Sequence, residues 1–152
     1  MTQTSGSTGL TLRPLAVAHL EMAEPISLAG SPRGTVVFVQ LLSGTFTGRL
    51  SGTVRPGSAS DWVTIGAQGA GALDVRFLLE SERGALISVQ CLGRIDVSTP
   101  SPSPLLAMTF DTGDPEHHFL NTLLAVARVS TTGLQLRYDV FEVLPTPDSP
   151  AP

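Results

Sequence analysis

The sequence contains no lysine, one cysteine and few charged residues, and each shortage excludes a class of chemistry. Without lysine, the chain can form no Schiff base and carries no lysine-based phosphate loop. The single cysteine, Cys91, excludes an internal disulfide framework and any zinc or iron–sulfur site built from several cysteines. Charged residues make up 14% of the chain, against about 25% in an average soluble domain. These absences favour a protein that handles a small ligand without covalent machinery.

The charge balance and the hydropathy pattern exclude two classes of partner. The formal net charge is −4 and all nine basic residues are arginine, which offers no basic footprint for nucleic acid or an anionic membrane surface. No stretch approaches the ~18 consecutive apolar residues of a membrane span. The polar, uncharged residues 1–9 do not resemble a secretory signal peptide. We therefore expect a cytoplasmic protein with no nucleic-acid partner and no membrane partner.

Short apolar runs alternate with Gly, Pro and Ser turns along the chain, which predicts an all-β fold. A length of 152 residues indicates one domain. The connections are too short for crossover helices, so the strands should be antiparallel. We predict a single antiparallel β-barrel of about 8–9 strands, lipocalin-like or allene-oxide-cyclase-like. It should span residues 11–144, between flexible tails at residues 1–10 and 145–152. The predicted strands are Leu12–Met22, Gly34–Thr47, Leu50–Arg55, Asp61–Ile65, Ala70–Leu79, Ala85–Val97, Leu105–Phe110, Thr122–Ser130 and Gly133–Val143.

One short helix is predicted near residues 114–121. Asp114 is a good N-cap, Pro115 suits the first helical position, and Glu116 complements the helix dipole. The following run continues into β-branched residues, so we expect one or two helical turns that lead into a strand.

Several short motifs follow one another in an order that resembles a known family. They are Gly44-Thr-Phe-Thr-Gly48, Asp61-Trp62, Leu73-Asp-Val-Arg76, Phe110-Asp-Thr-Gly113, Leu120-Asn121 and Tyr138-Asp-Val-Phe-Glu-Val143. This order resembles the domain-of-unknown-function 3237 family of small β-barrel proteins, over residues 12–144. The resemblance implies a closed or nearly closed antiparallel barrel with an internal cavity, and it implies no established activity. The chain departs from the family at His117-His118-Phe119, where an aromatic pair is usual.

Asp74 and Arg76 are the first candidate pair for catalysis. They lie two apart on a predicted strand and therefore share a face, opposite an apolar face that carries Leu73 and Val75. If the polar face lines the lumen, Arg76 can anchor a carbonyl, an enolate or a carboxylate, and Asp74 can orient it. The alternative is a solvated outer face with a weak ion pair.

Asp61 and Trp62 begin another predicted strand and point to opposite faces. A tryptophan wall suits an apolar ligand with one hydrogen-bond acceptor, although a plain core tryptophan explains Trp62 as well. Asp61 becomes a candidate general base if burial raises the pKa of its carboxyl group.

Acidic residues and histidines cluster around the predicted helix. They are Asp111, Asp114, Glu116, His117 and His118. Adjacent histidines on a helix point about 100° apart and no His-x-x-x-His pair exists, so the spacing argues against a metal site. His118 is the candidate acid or base near the barrel mouth.

Three further polar residues are candidate ligand contacts. Asn121, the only asparagine, can orient a ligand oxygen or bond to the nearby backbone. Tyr138 and Glu142 lie four apart on the last strand and share one face. They can line the lumen or occupy a half-exposed strand face.

These residues favour a cofactor-free enzyme that binds a small apolar metabolite in the lumen. The expected reaction is a cyclisation, an isomerisation or a related lyase-type step, for example in natural-product or polyketide tailoring. The alternative is a non-catalytic carrier or sensor barrel. A lumen smaller than ~300 Å³ would instead indicate a structural subunit filled by its own side chains. Unclosed edge strands and low surface charge lead us to expect a homodimer or a higher homo-oligomer.

Overall fold

The computed structural model describes residues 9–146, which form ten antiparallel strands and one 3-10 helix. The predicted antiparallel β-barrel with one short helix is confirmed. Most of the two predicted tails, residues 1–8 and 147–152, lies outside the described residues. The strands are β1 (Leu10–Met22), β2 (Ile26–Ser31), β3 (Gly34–Gly48), β4 (Gly52–Val54), β5 (Ser60–Ile65), β6 (Ala70–Glu80), β7 (Leu86–Asp96), β8 (Leu105–Asp111), β9 (Ala125–Thr132) and β10 (Gln135–Pro145).

The sheet closes into a ring. From β1 the hydrogen-bonded order runs through β10, β9, β8 and β7 to β6. Both β4 and β5 bridge β6 to β3, at different heights along the barrel. Strand β3 then returns to β1, with Gly48 opposite Ala16 and Leu41 opposite Met22. This last pairing completes the barrel, as the resemblance implied.

Strand β2 is an addition to the predicted set. Its six residues are almost all exposed, so they show no alternation of buried and exposed positions. Strand β2 instead forms through backbone pairing with the start of β3, where Ile26 lies opposite Phe38. Hydropathy patterns detect strands by burial, and β2 has none to detect.

Alternation along β6 determines which side chains enter the lumen. Leu73, Val75, Phe77 and Leu79 are buried, whereas the residues between them are half-buried or exposed. Successive strand residues point to opposite faces, so the apolar set faces inward. The inner face of β6 is therefore wholly apolar.

The barrel has a filled half and an open half. Phe46 and Phe77 pack in the filled half with their ring centroids 5.7 Å apart. The 3-10 helix, Pro115–Thr122, follows the far end of β8 and inserts its fully buried Leu120 there. The strand ends near Ile65 and Ala70 belong to the open half. The side chains therefore divide the lumen into a packed core and an unfilled cavity.

Asp114 takes the predicted N-cap position, but its side chain makes no capping hydrogen bond. Its Oδ2 instead lies 2.6 Å from His117 Nδ1. The imidazole of His117 competes with the backbone N–H groups for the Asp114 carboxylate, which explains why Asp114 makes no capping hydrogen bond. Over residues 9–146, no helix is both long enough and apolar enough to cross a membrane.

Two glycines of the β2–β3 hairpin provide a first prediction. Gly34 and Gly30 both have left-handed backbones, with φ of 98° and 73°. A Cβ on Gly34 would collide with the backbone oxygen of Ile65, whereas a Cβ on Gly30 would meet open space. We expect Gly34→Ala to lower the free energy of unfolding by about 1–3 kcal/mol more than Gly30→Ala, measured by urea unfolding. Equal losses would contradict a role for the contact with Ile65.

Candidate functional site

The open half of the barrel holds a cavity of about 590 Å³. This volume falls within the range of about 300–1,000 Å³ that is usual for small-molecule pockets. The barrel is therefore not a structural shell filled by its own side chains. The apolar part of the lining is aliphatic, from Met22, Pro25, Val37, Val39, Val63, Ile65, Leu73, Ile95, Val97, Leu106, Val129 and Leu136.

Strand β5 places Asp61 in the cavity wall, on the same face as Val63 and Ile65. Asp61 Oδ1 is buried and has no hydrogen-bond partner among residues 9–146. Burial, and next the charge of Asp74, raise the pKa of the Asp61 carboxyl to about 7. Desolvation disfavours the charged form of a carboxyl group, which gives the direction of the shift. Asp61 therefore exchanges a proton near neutral pH.

Strand β10 places Tyr138 in the same cavity. Its side chain is buried, and burial raises the pKa of the phenol well above 10, with further contributions from Cys91 and Asp61. The phenol therefore stays protonated and can donate a hydrogen bond. Tyr138 and Asp61 give the cavity one donor and one proton acceptor.

Cys91 lies in the interior of the barrel, between Val75 and Met108 on the neighbouring strands. It is fully buried, and burial raises the pKa of its thiol. Because the thiolate is the nucleophilic form of cysteine, a nucleophilic role for Cys91 is disfavoured.

The structure places Asp74 and Arg76 on the outer face of the barrel, which is the second of the two alternatives in the sequence analysis. Arg76 Nε and Nη2 donate to the two oxygens of Asp74 at 3.1 and 3.2 Å. The hydrogen bond from Arg76 lowers the pKa of Asp74. The apolar neighbours Leu73 and Val75 take the inner face, and strand alternation turns the ion pair outward. This pair therefore lies outside the cavity.

Trp62 also lies on the outer face. Its side chain is 53% exposed and packs against Phe38, with ring centroids 4.8 Å apart. Both alternatives in the sequence analysis, a lumen wall and a core tryptophan, assumed an inward side chain. Asp61 takes the inward position on β5, so Trp62 must point outward.

Asn121 bonds to the backbone at the filled end of the barrel. Its Nδ2 donates to the Thr112 carbonyl oxygen at 2.9 Å, and its Oδ1 accepts from the Thr112 N–H at 2.8 Å. This is the local side-chain-to-backbone alternative of the sequence analysis. Asn121 ties the 3-10 helix to the end of β8.

Glu142 and His118 also lie at the filled end. Glu142 Oε2 accepts hydrogen bonds from Arg13 at 2.7 and 3.0 Å and from Arg49 at 2.8 Å. These two arginines lower the pKa of Glu142 against the effect of its burial. His118 lies exposed on the 3-10 helix, at the end of the barrel opposite the cavity. Of the predicted site residues, only Asp61 and Tyr138 line the cavity.

The structure brings no group of three His, Cys, Asp or Glu side chains into a metal-binding arrangement anywhere in residues 9–146. In the histidine-rich segment, Asp114 pairs with His117 instead.

Arg128 on β9 borders the cavity, although its side chain is exposed on the outer face between the buried Ala127 and Val129. The Pro-rich segment from Ser101 to Pro104 runs beside it, where Pro104 accepts a backbone hydrogen bond from Val129. This contact joins parts of the chain whose pairing no local pattern encodes. Nothing in the sequence distinguishes Arg128 from the other eight arginines.

Residues 10–143 match the family described as Protein of unknown function (DUF3237). The chain resembles a β-barrel-like protein from Acinetobacter baumannii AYE, with a TM-score of 0.80 and 27% identity over 90% of this chain and 97% of that one. A protein of unknown function from Clostridium acetobutylicum ATCC 824 gives a TM-score of 0.81 at 17% identity, over 90% of this chain and 100% of the other. An enzyme from Penicillium herquei gives a TM-score of 0.66 at 20% identity, over 95% of this chain and 99% of the other. The search of curated proteins found no match. The last two structures share the fold alone, whereas the family match spans nearly the whole chain: the protein belongs to the DUF3237 family.

Proposed function

We propose that the protein is a cofactor-free enzyme that isomerises or cyclises a small, largely aliphatic molecule inside the barrel, with Asp61 as the proton acceptor. The observation that carries this proposal is the unpartnered Asp61 Oδ1, buried in the wall of a cavity of about 590 Å³. A buried polar atom without a partner costs about 1–3 kcal/mol. An acidic hydrogen of a ligand at that oxygen would remove the cost.

The proposed reaction needs only proton transfer and electrostatic support. The Asp61 carboxylate removes a proton from a carbon beside a carbonyl group, and the electron pair of the C–H bond moves into an enolate. The phenol of Tyr138 donates a hydrogen bond to the developing oxyanion. When a C=C bond is conjugated with the enolate, the Asp61 carboxylic acid returns the proton to the far carbon of that bond. The double bond then moves next to the restored carbonyl group, which yields the isomer. In a cyclisation, a hydroxyl oxygen that loses its proton to Asp61 attacks the far carbon of a C=C bond conjugated with the carbonyl. The electron pair of that double bond moves into an enolate, and Asp61 returns the proton to the carbon beside the carbonyl.

A pKa of about 7 suits this role. A general base works best when its pKa lies near the operating pH, because the ionised fraction and the driving force for proton transfer are then both substantial. The DUF3237 family has no stated function, but the distant Penicillium herquei structure with the same fold is described as an enzyme. That description supports a catalytic proposal without naming a reaction.

Deuterium exchange into simple ketones tests the proposal. The probes are cyclohexanone and cyclooctanone in D₂O at neutral pD, followed by proton NMR. We expect wild type to exchange the hydrogens beside the carbonyl about 10²–10⁴ times faster than Asp61→Asn, the usual contribution of a general base.

Asp96→Asn is the matched control, because it removes the same charge from the outer face of β7, and Asp96 neither lines the cavity nor shifts the pKa of Asp61. It should exchange at the wild-type rate. Equal rates for wild type and Asp61→Asn, with both ketones, would contradict the proposal.

A non-catalytic carrier or sensor is the second candidate. The aliphatic lining favours it, because such a surface binds apolar ligands without chemistry. A carrier would bind the ketones without accelerating exchange. Asp61→Asn would then bind them at least as tightly as wild type, because it buries no titrating carboxyl.

A further inference from the structure

Asp61 is the only charged side chain of the lining that points into the cavity. Asp61 and Arg128 are the two charged residues of that lining. Arg128 is exposed on β9 between the buried Ala127 and Val129, so strand alternation turns its guanidinium to the outer face. Asp61 lies on the inner face of β5, opposite the buried Val75 of β6. The charge that the lining directs into the cavity is therefore negative, and no cation of the lining balances it.

Asp61 lies at the floor of the cavity. Its neighbours across the sheet, Val75 and then Cys91, are fully buried and do not line the cavity. The next inward pair along the same strands, Val63 and Leu73, does line it. The aliphatic walls therefore extend from Asp61 toward the open end of the barrel. A ligand that reaches the carboxyl group must bury its hydrocarbon part along these walls.

Glu142 shows how the chain satisfies an enclosed carboxylate at the other end of the barrel. Burial raises the pKa of Glu142, but hydrogen bonds from Arg49 and Arg13 outweigh this effect and lower the pKa. Asp61 has no such partner, since its Oδ1 is enclosed and makes no hydrogen bond within residues 9–146. Because folding has already desolvated this carboxyl group, a cation that reaches it need lose only its own hydration. The cation that Asp61 lacks can therefore come from a ligand.

We propose that the floor of the cavity binds the ammonium group of a small aliphatic amine, with Asp61 as its counter-ion. The ammonium donates hydrogen bonds to the Asp61 carboxylate, and the phenol oxygen of Tyr138 can accept a further one. A hydrogen bond between two charged groups is stronger than one between neutral groups. The inference goes beyond the proposed function, because amine binding needs the carboxylate and the aliphatic walls but no proton transfer from carbon.

Calorimetric titration with cyclooctylamine and with cyclooctanol tests the cation site. The two probes share a ring and differ in the charged group. At about pH 8.5 an alkylammonium group, whose pKa is about 10, keeps its charge. Asp61, whose pKa is about 7, is ionised at that pH. We expect wild type to bind cyclooctylammonium at least about tenfold more tightly than cyclooctanol, as a hydrogen bond between charged groups provides.

Asp61→Asn keeps the shape of the side chain and removes its charge. It should weaken the binding of cyclooctylammonium about tenfold or more and leave cyclooctanol binding within about threefold of wild type. Asp96→Asn is the matched control, because Asp96 lies on the outer face of β7 and does not line the cavity. It should bind both probes as wild type does.

Four outcomes would overturn the inference. They are no binding of cyclooctylammonium by wild type, unchanged binding in Asp61→Asn, an equal loss of both probes in Asp61→Asn, and an equal loss of cyclooctylammonium binding in Asp96→Asn.

The ketone exchange assay separates this failure from failure of the proposed function. If ketone exchange depends on Asp61 but amine binding does not, the proposed function stands and the cation site is wrong. If amine binding depends on Asp61 but ketone exchange does not, the cation site stands in a barrel that is not the proposed enzyme.

Discussion

Replacement of Asp61 by asparagine should make the protein more stable than wild type in alkaline solution, and the advantage should grow with pH. Burial raises the pKa of Asp61 from 3.8 to about 7 in the folded state. Between these two values the unfolded chain has lost a proton that the folded protein retains. The unfolded state then binds fewer protons, so wild-type stability falls as the pH rises through this window and levels off above it. We expect the advantage of Asp61→Asn to grow by about 2–3 kcal/mol between about pH 5 and about pH 8.5.

Urea unfolding of both proteins at several pH values measures this difference. Subtraction of the Asp61→Asn profile removes the contributions of the other titrating groups. Asp96→Asn is again the control, because hydrogen bonds from Ser98 lower the pKa of Asp96. Its loss removes stability above that pKa, which is the opposite sign, and the effect is small for an exposed group. Parallel pH profiles for wild type and Asp61→Asn would show that the carboxyl is not buried as described.

Phe46→Ala should be among the most destabilising substitutions, at about 3–5 kcal/mol. Phe46 is 2% exposed and packs against Phe77 across the filled half of the barrel. Truncation removes the buried ring and leaves a void that the strands, tied by pairing on both sides, cannot collapse into. Urea unfolding at neutral pH measures the loss.

Phe119→Ala is the matched control for this substitution. Phe119 is the same residue type but is 42% exposed on the 3-10 helix, with Arg49 lying 6.0 Å from its ring centroid. Its truncation should cost less than about 1 kcal/mol, since surface changes of this kind are small. Similar losses for the two variants would mean that the filled half does not depend on the Phe46–Phe77 packing.

The sequence predicts the barrel well wherever a strand has one buried face. Strand β6 shows this clearly, because its alternation of apolar and polar residues predicts both the strand and its two faces. The same reasoning does not predict β2, because its residues are almost all exposed and the strand forms by backbone pairing with β3. Closure of the ring between β1 and β3 likewise depends on long-range pairing, and here the family resemblance supplied what local patterns do not.

The candidate site was only partly predictable for a related reason. Asp61 and Tyr138 come from strands far apart in the sequence, and they line one cavity because the barrel brings β5 and β10 to the same lumen. Alternation could state that Asp61 and Trp62 face opposite ways, but not which of them faces inward. For Asp74 and Arg76 the sequence left both faces open, and the structure turns the pair outward because the apolar side chains between them gain most from burial. Hydrogen bonding to the backbone likewise explains Asn121 without any ligand.

The division of the barrel into a filled half and an open half has an evolutionary consequence. The buried rings of Phe46 and Phe77 contribute to the folding stability, and they are not among the residues that shape the cavity. Substitutions of Val63 or Leu136 therefore remodel the binding space while the packed half stays intact. Because the packing of these two rings does not depend on the cavity lining, a scaffold of this design can diversify its ligands at a reduced cost in stability.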